Sequence, residues 1–471
     1  MDLSSFTDSG MSDNEQQPAF EYTAQAVSQI INGEVKITIA DNAFTMTALF
    51  NTVEIAFAEI NSLSFANHII TVKTDSGDYT FSYMGQWAQP FYNELCDAYN
   101  NAVLRSMFIK NNPVLTTKGD YRYSEKDIKG SGYAAVHVYE NNVTALPPDL
   151  TARRVPLCFV TGMDKSDYNL TLKLDTGESY SYAKLGYDTS PFATAVEKQI
   201  RALFEKTLAA IKEIDPSLTT VQASQLVKIM PQGAAAMLEQ LTGIASSFKT
   251  ALEEKIENTR AAEYYTEFKK MCEPAKIYIG FRKNEAGADS GGMADIIGGL
   301  TGGNDPIEAL DDNEAETAQP DLYLLWLIVP SPNGQYAAVE FAEADSATFV
   351  YKTGGDFDGF AKQLNRALEA INFKREVIRM TDEELKKPEN ADYYMAAKRT
   401  ASLQFVRSNF VGRVIHSSPE AWKRKLTEMW SGTPTVTVES VPIQTNNKFC
   451  EKCGELLRPG MRFCNNCGTK I

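Results

Sequence analysis

The sequence predicts an α+β protein built from tandem antiparallel β-sandwich or barrel units, each closed by a C-terminal helix, with a helical connector and a cysteine-rich tail. Three observations predict it. The first is the stretch DSGDYTFSYMGQWAQPFYNELCDAYNNA, residues 75 to 102. Here Tyr79, Phe81 and Tyr83 alternate as on a strand and Gly85 breaks the run. Phe91 then opens a stripe through Leu95, Ala98, Tyr99 and Ala102 at helical spacing. The pattern returns with Tyr180, Tyr182, Gly186, Phe192, Val196, Ile200 and Leu203, and again with Phe349, Tyr351, Gly354, Phe360, Leu364, Ala367, Leu368 and Ile371. Every copy places phenylalanine six residues after glycine, which marks one supersecondary unit used three times. The second observation is the series of short alternating runs, separated by turn residues, that precedes each helix. The third is a duplicated Cys-x-x-Cys-Gly at the C-terminus.

Taken in order, residues 1–20 are rich in Ser, Asp, Gln and Gly, so a disordered tail without a signal peptide is expected. The first β-unit occupies 21–112. Its runs are Val35 to Ile39, Phe44 to Phe50, Val53 to Phe57, Ile69 to Val72 and Tyr79 to Tyr83, parted by Ala40-Asp41-Asn42 and Asp75-Ser76-Gly77. Pro90 suits the first turn of the closing helix. The second unit, 120–215, repeats the order. Val136 to Tyr139 leads to the turn Glu140-Asn141-Asn142, Val155 to Val160 and Asn169 to Leu174 follow, and a helix runs from Pro191 to about Ile211.

Residues 216–272 are rich in Ala, Leu, Glu and Lys, and Pro231 and Gly233 part a helix near Val221 to Ile229 from longer ones near Ala234 to Phe248 and Thr250 to Met271. Their expected role is spacing. The third unit, 273–430, shows four strands. Lys276 to Arg282 comes first, Leu322 to Val329 next, then Tyr336 to Phe341 after the hairpin signal Pro332-Asn333-Gly334, then the run holding Phe349 and Tyr351. Helices near Ala391 to Ser408 and Pro419 to Met429 complete it.

An acidic insertion, 284–320, interrupts this unit with nine acids and no base. The chain's net charge of −15 therefore leaves the folded parts only mildly acidic, which offers no broad attraction for nucleic acid or anionic lipid. The insertion reads as a disordered loop. Within it Met293, Ile296, Ile297 and Leu300 share a helical face, the pattern of a short docking helix.

About 100 residues of antiparallel strands followed by a helix sealing an open end resemble the pleckstrin-homology-like fold of a bacterial type, used in tandem, with the third unit a partial copy. The resemblance implies recognition of proteins or of lipid headgroups. The predicted first turn, Asp41-Asn42, carries no basic cluster of the kind lipid-binding members use.

Beyond a 17-residue linker, 431–447, residues 448–471 read KFCEKCGELLRPGMRFCNNCGTKI. Cys450 and Cys453 form one knuckle, Cys464 and Cys467 the other. The glycine after each lets the backbone turn its N–H groups toward the sulfurs. Four thiolates suit tetrahedral Zn²⁺ in a closed structural site. Paired disulfides or a redox Cys-x-x-Cys fit the duplicated knuckle less well. The segment resembles the zinc-ribbon family, whose members bind nucleic acid or protein.

No catalytic motif is present. His68, His137 and His416 lie in separate units, and neither a phosphate loop nor a paired-carboxylate motif occurs. Seven cysteines with three far-separated loners, Cys96, Cys158 and Cys272, indicate a reducing compartment. The functional expectation is a cytoplasmic, non-enzymatic, zinc-binding adaptor that contacts protein partners. Two alternatives are kept. One is a membrane surface engaged through the Arg153-Arg154 loop or the Trp422, Leu426, Met429 and Trp430 helix face. The other is nucleic acid bound by the ribbon.

Overall fold

The computed structural model describes residues 20–125, 128–166, 168–283, 323–342 and 347–432, with the backbone of 448–449 and 456–457. The expected tail, the acidic insertion with its docking helix, and the four paired cysteines lie outside the described residues. Two compact units divide the chain, Met1–Pro419 and Glu420–Ile471.

The first sheet contains β1 (Tyr22–Val27), β2 (Asn32–Ile39), β3 (Ala43–Thr47), β4 (Thr52–Ala56), β5 (Ile60–Ala66), β6 (Ile69–Thr74) and β7 (Asp78–Ser82), closed by α1 (Ala88–Ser106). Its order is 4-3-2-1-7-6-5, antiparallel throughout. The second repeats it with β8 (Leu115–Glu125), β9 (Ile128–Val138), β10 (Asn142–Leu146), β11 (Arg153–Pro156), β12 (Val160–Ser166), β13 (Asn169–Leu174), β14 (Ser179–Ala183) and α2 (Thr189–Ile214), ordered 11-10-9-8-14-13-12. Where the sequence shows five runs in the first unit, seven strands form. The sequence alone does not mark β1 and β5, nor β8, whose inward positions include Thr117, Gly119 and Glu125 instead of an apolar stripe.

The recurring pattern is structural in all three copies. Gly85, Gly186 and Gly354 take φ of 58°, 61° and 62°, which turns the chain from strand to helix. Phe91, Phe192 and Phe360, all fully buried, then meet a strand aromatic: Phe81 at 5.9 Å, Tyr182 at 5.3 Å and Tyr351 at 5.3 Å between ring centroids. The same aromatic contact joins helix to sheet in each copy.

Between the second and third copies run α3 (Thr220–Ile229), α4 (Leu238–Ile244), α5 (Ser246–Glu257) and α6 (Ala262–Met271). The long helices expected there are divided, and the segment does more than space. Its β15 (Ala236–Met237) is the edge of a six-stranded sheet completed by β16 (Tyr278–Lys283), β17 (Tyr323–Pro330), β18 (Tyr336–Ala342), β19 (Ala347–Lys352) and β20 (Phe410–Ile415). Four of these strands were legible. The hairpin at Gly334 (φ 69°) is present, whereas β15 is too short for periodicity and β20 is interrupted by Gly412.

After α7 (Phe357–Ala370) come α8 (Glu376–Arg379), α9 (Asp382–Leu385), α10 (Ala391–Arg399), α11 (Ala401–Ser408) and α12 (Pro419–Trp430). The single helix expected over Ala391 to Ser408 breaks at Thr400, whose φ/ψ of −106°/102° is extended.

Candidate functional site

Of the tail carrying Cys450, Cys453, Cys464 and Cys467, only a two-residue ladder is described, pairing Lys448 with Leu457 and Phe449 with Leu456. Elsewhere, among the described residues, no three His, Cys, Asp or Glu side chains converge as metal ligands. Burial pushes the thiols of Cys96 and Cys272 up to about 11, and that of Cys158 well above its ordinary value, which makes all three poor nucleophiles.

Arg153 and Arg154 sit in the interior. Arg153 Nε donates to Glu125 Oε1 (2.9 Å), which also accepts from the Tyr180 hydroxyl (2.8 Å). The Arg153 guanidinium lies 4.2 Å from the centre of the Tyr123 ring. Arg154 grips Glu369 of α7 with both Nη atoms, at 2.6 and 2.7 Å, across 215 residues of chain. Beside them Arg366 donates to Glu178 at 2.9 Å. A membrane-facing loop at Arg153-Arg154 is thus excluded: both guanidiniums are spent on buried carboxylates instead of reaching water. Trp422, Leu426 and Trp430 share one face of α12 and are buried. Among the described residues, no helix is long and apolar enough to cross a membrane.

The histidines remain apart. His68 is exposed in the β5–β6 turn with φ 61°. His137 meets Thr116 Oγ1 at 2.9 Å, and burial lowers its pKa. His416 stacks on Tyr264 at 3.9 Å and approaches Glu340, which also accepts from Thr348 Oγ1 at 2.5 Å. Glu340 and Thr348 are both 0% exposed.

An outward-facing feature stands at the β3–β4 turn. Ala48 N–H donates to Asn51 C=O at 2.8 Å, leaving Leu49 and Phe50 as the two central residues, 86% and 94% exposed. Such positions ordinarily hold Gly, Asn or Asp. Antiparallel order puts the β1–β2 turn, with exposed Val27 and Ile30, at the same end of the sheet. Exposed Glu34 and Glu54 flank this apolar end. The alternating run from Phe44 to Phe50 reads in sequence as one strand, which hides the turn; two large apolar residues directly before Asn51 are its signal.

The equivalent connection of the second copy, residues 147–152 between β10 and β11, already docks on protein. Leu63 N–H donates to Pro148 C=O (2.8 Å) and Leu150 N–H to Asn61 C=O (3.1 Å), so the connection lies along edge strand β5 of the first sheet. Leu146 and Ala152, at its two ends, are buried in the first unit's core.

No family model matches this chain, and no curated protein matches it. Among solved structures, that of the Spt16D Pob3N heterodimer overlaps 34% of this chain and 86% of its own at 11% identity, with a TM-score of 0.15; an overlap of that size carries no argument.

Proposed function

We propose that this chain is a non-enzymatic, zinc-binding adaptor of the cytoplasm: two pleckstrin-homology-like units and a partial third form the frame, with a tethered zinc ribbon at the C-terminus. What supports protein docking is the turn between the third and fourth strands of each complete copy. In the second copy this turn docks on a sheet edge within the molecule, whereas in the first it projects Leu49 and Phe50 into solvent. Exposed apolar clusters of this kind mark interaction sites, and acidic Glu34 and Glu54 beside it favour a protein segment over an anionic membrane. For the ribbon, four soft thiolates in two knuckles form a donor set that fits Zn²⁺ and leaves no open coordination position.

The test is crosslinked co-purification from cells with the full chain and with Leu49→Ser/Phe50→Ser. Loss of a specific protein from the double variant, with its melting temperature unchanged, supports docking at the turn. An unchanged partner set, or binding of the wild type to anionic vesicles that the double variant loses, overturns it.

A further inference from the structure

The two complete copies repeat each other down to the edge strand. β5 pairs with β6 and β12 with β13 in the same register, Ile60 opposite Thr74 and Val160 opposite Leu174, and both ladders shift at the next residue, Asn61 or Thr161. The edge of β5 is covered, because Asn61 C=O and Leu63 N–H take the 147–152 connection, and Leu63 is buried. The same groups of β12, Thr161 C=O and Met163 N–H, have no backbone partner among the described residues. Thr161 is exposed and Met163 half-buried. An open edge of this kind is a template for pairing with another chain.

The space that the connection fills beside β5 is open beside β12. In the first copy Leu146 and Ala152, at the ends of the connection, sink into the core, and Asn100 of α1 donates to Leu146 C=O. In the second copy a groove of about 650 Å³ runs past Val160 and Thr161, with Ile200, Leu203 and Phe204 of α2 as its apolar wall and α3 and α7 on its far side. Counted from the shared phenylalanines Phe91 and Phe192, Arg201 stands where Asn100 stands, and it is exposed. The free counterpart is the β3–β4 turn of the first copy. There Thr47 and Thr52 hold the positions of Leu146 and Ala152, so the large apolar side chains have moved from the base of the turn to its tip, Leu49 and Phe50. A tip can enter a groove that a base cannot. Glu34 and Glu54 beside the turn complement Arg201 beside the groove. Turn and groove are both open in the same folded chain, so a second chain must bring them together.

We propose that chains of this protein associate head to tail, the Leu49 and Phe50 turn of one entering the groove beside β12 of the next, as the 147–152 connection lies along β5 within each chain. The inference rests on the docking reading of that turn and names its partner as a second copy of this chain. Turn and groove are different surfaces, so the contact is heterologous and builds open-ended assemblies instead of a closed dimer.

The experiment is sedimentation velocity of the full-length protein over a concentration series, with variants that each remove one side of the contact. Leu49→Ser/Phe50→Ser removes the tip, and Phe204→Glu puts a carboxylate in the groove. Thr161→Glu, at an exposed position, is the second groove variant should Phe204→Glu fail to fold. The wild type is expected to grow past the dimer as concentration rises, and each variant to associate about tenfold or more weakly. An equimolar mixture of turn and groove variants should form dimers and stop there, because it contains one intact turn for each intact groove. A wild type that stays monomeric while the turn variant still loses a cellular partner overturns this inference and leaves the docking reading standing. If the partner set is unchanged as well, both fall. Assembly that the folded variants leave untouched, or a mixture that stays monomeric, overturns the head-to-tail contact.

Discussion

Arg154 and Glu369 show at the scale of single residues how a polar pair far apart in sequence becomes a structural joint. Side-chain exposures of 10% and 8% put both charges out of bulk water, where two short hydrogen bonds offset their desolvation. Arg154→Met or Glu369→Leu leaves the other group buried without its partner and is expected to cost about 3–5 kcal/mol. The double variant Arg154→Met/Glu369→Leu should recover much of that. Denaturant titrations of the four proteins measure the coupling, and additive losses would show that the two side chains act separately. Nothing in the sequence near Arg153-Arg154 signals burial, because adjacent arginines after a Pro-Pro turn read as a solvated loop.

The strand-glycine-helix element was the most legible feature, since each link in it is local. An added Cβ at Gly85, Gly186 or Gly354 would have nothing within 4 Å, so substitution is opposed by backbone conformation alone. Gly85→Ala is therefore expected to cost about 1–2 kcal/mol. Gly280→Ala should cost more, because its Cβ would fall 2.2 Å from the Trp326 ring in the core of the third sheet. Thermal melts rank the two, and equal losses would mean that the strand at Gly280 shifts freely. Elements built from a partner's contribution were not legible: β15 is two residues long and exists because β16 offers an edge.

At the scale of the whole molecule, the first and third units are tied through Asp75. Its carboxylate accepts from Lys398 Nζ (3.0 Å), Tyr394 OH (2.9 Å) and Asn61 Nδ2 (3.0 Å). Burial by itself would raise the Asp75 pKa, but these donors outweigh it and hold it below the ordinary 3.8. A carboxyl whose folded pKa is depressed stabilises above its unfolded pKa, and the contribution is lost as pH falls through the folded value. Melting temperature is thus expected to drop below about pH 4 more steeply in the wild type than in Asp75→Asn. Parallel acid limbs would remove Asp75 from the joint. For the tail, metal analysis of the full chain is expected to give about one Zn²⁺, lost in Cys450→Ser/Cys453→Ser. A chain that folds its ribbon without metal would contradict the proposed site.

Local periodicity by itself determined the strand-to-helix unit, its glycine switch and its phenylalanine anchor, because spacing along a chain dictates which residues share a face. The proposed four-thiolate zinc site rests on the Cys-x-x-Cys-Gly spacing alone. Only the tertiary structure decided that Arg153 and Arg154 are interior and that the 147–152 connection lies along β5. Those facts depend on which surfaces come together across hundreds of residues. The free energy of burying a charge depends on its neighbours in space, and adjacency in sequence does not specify them.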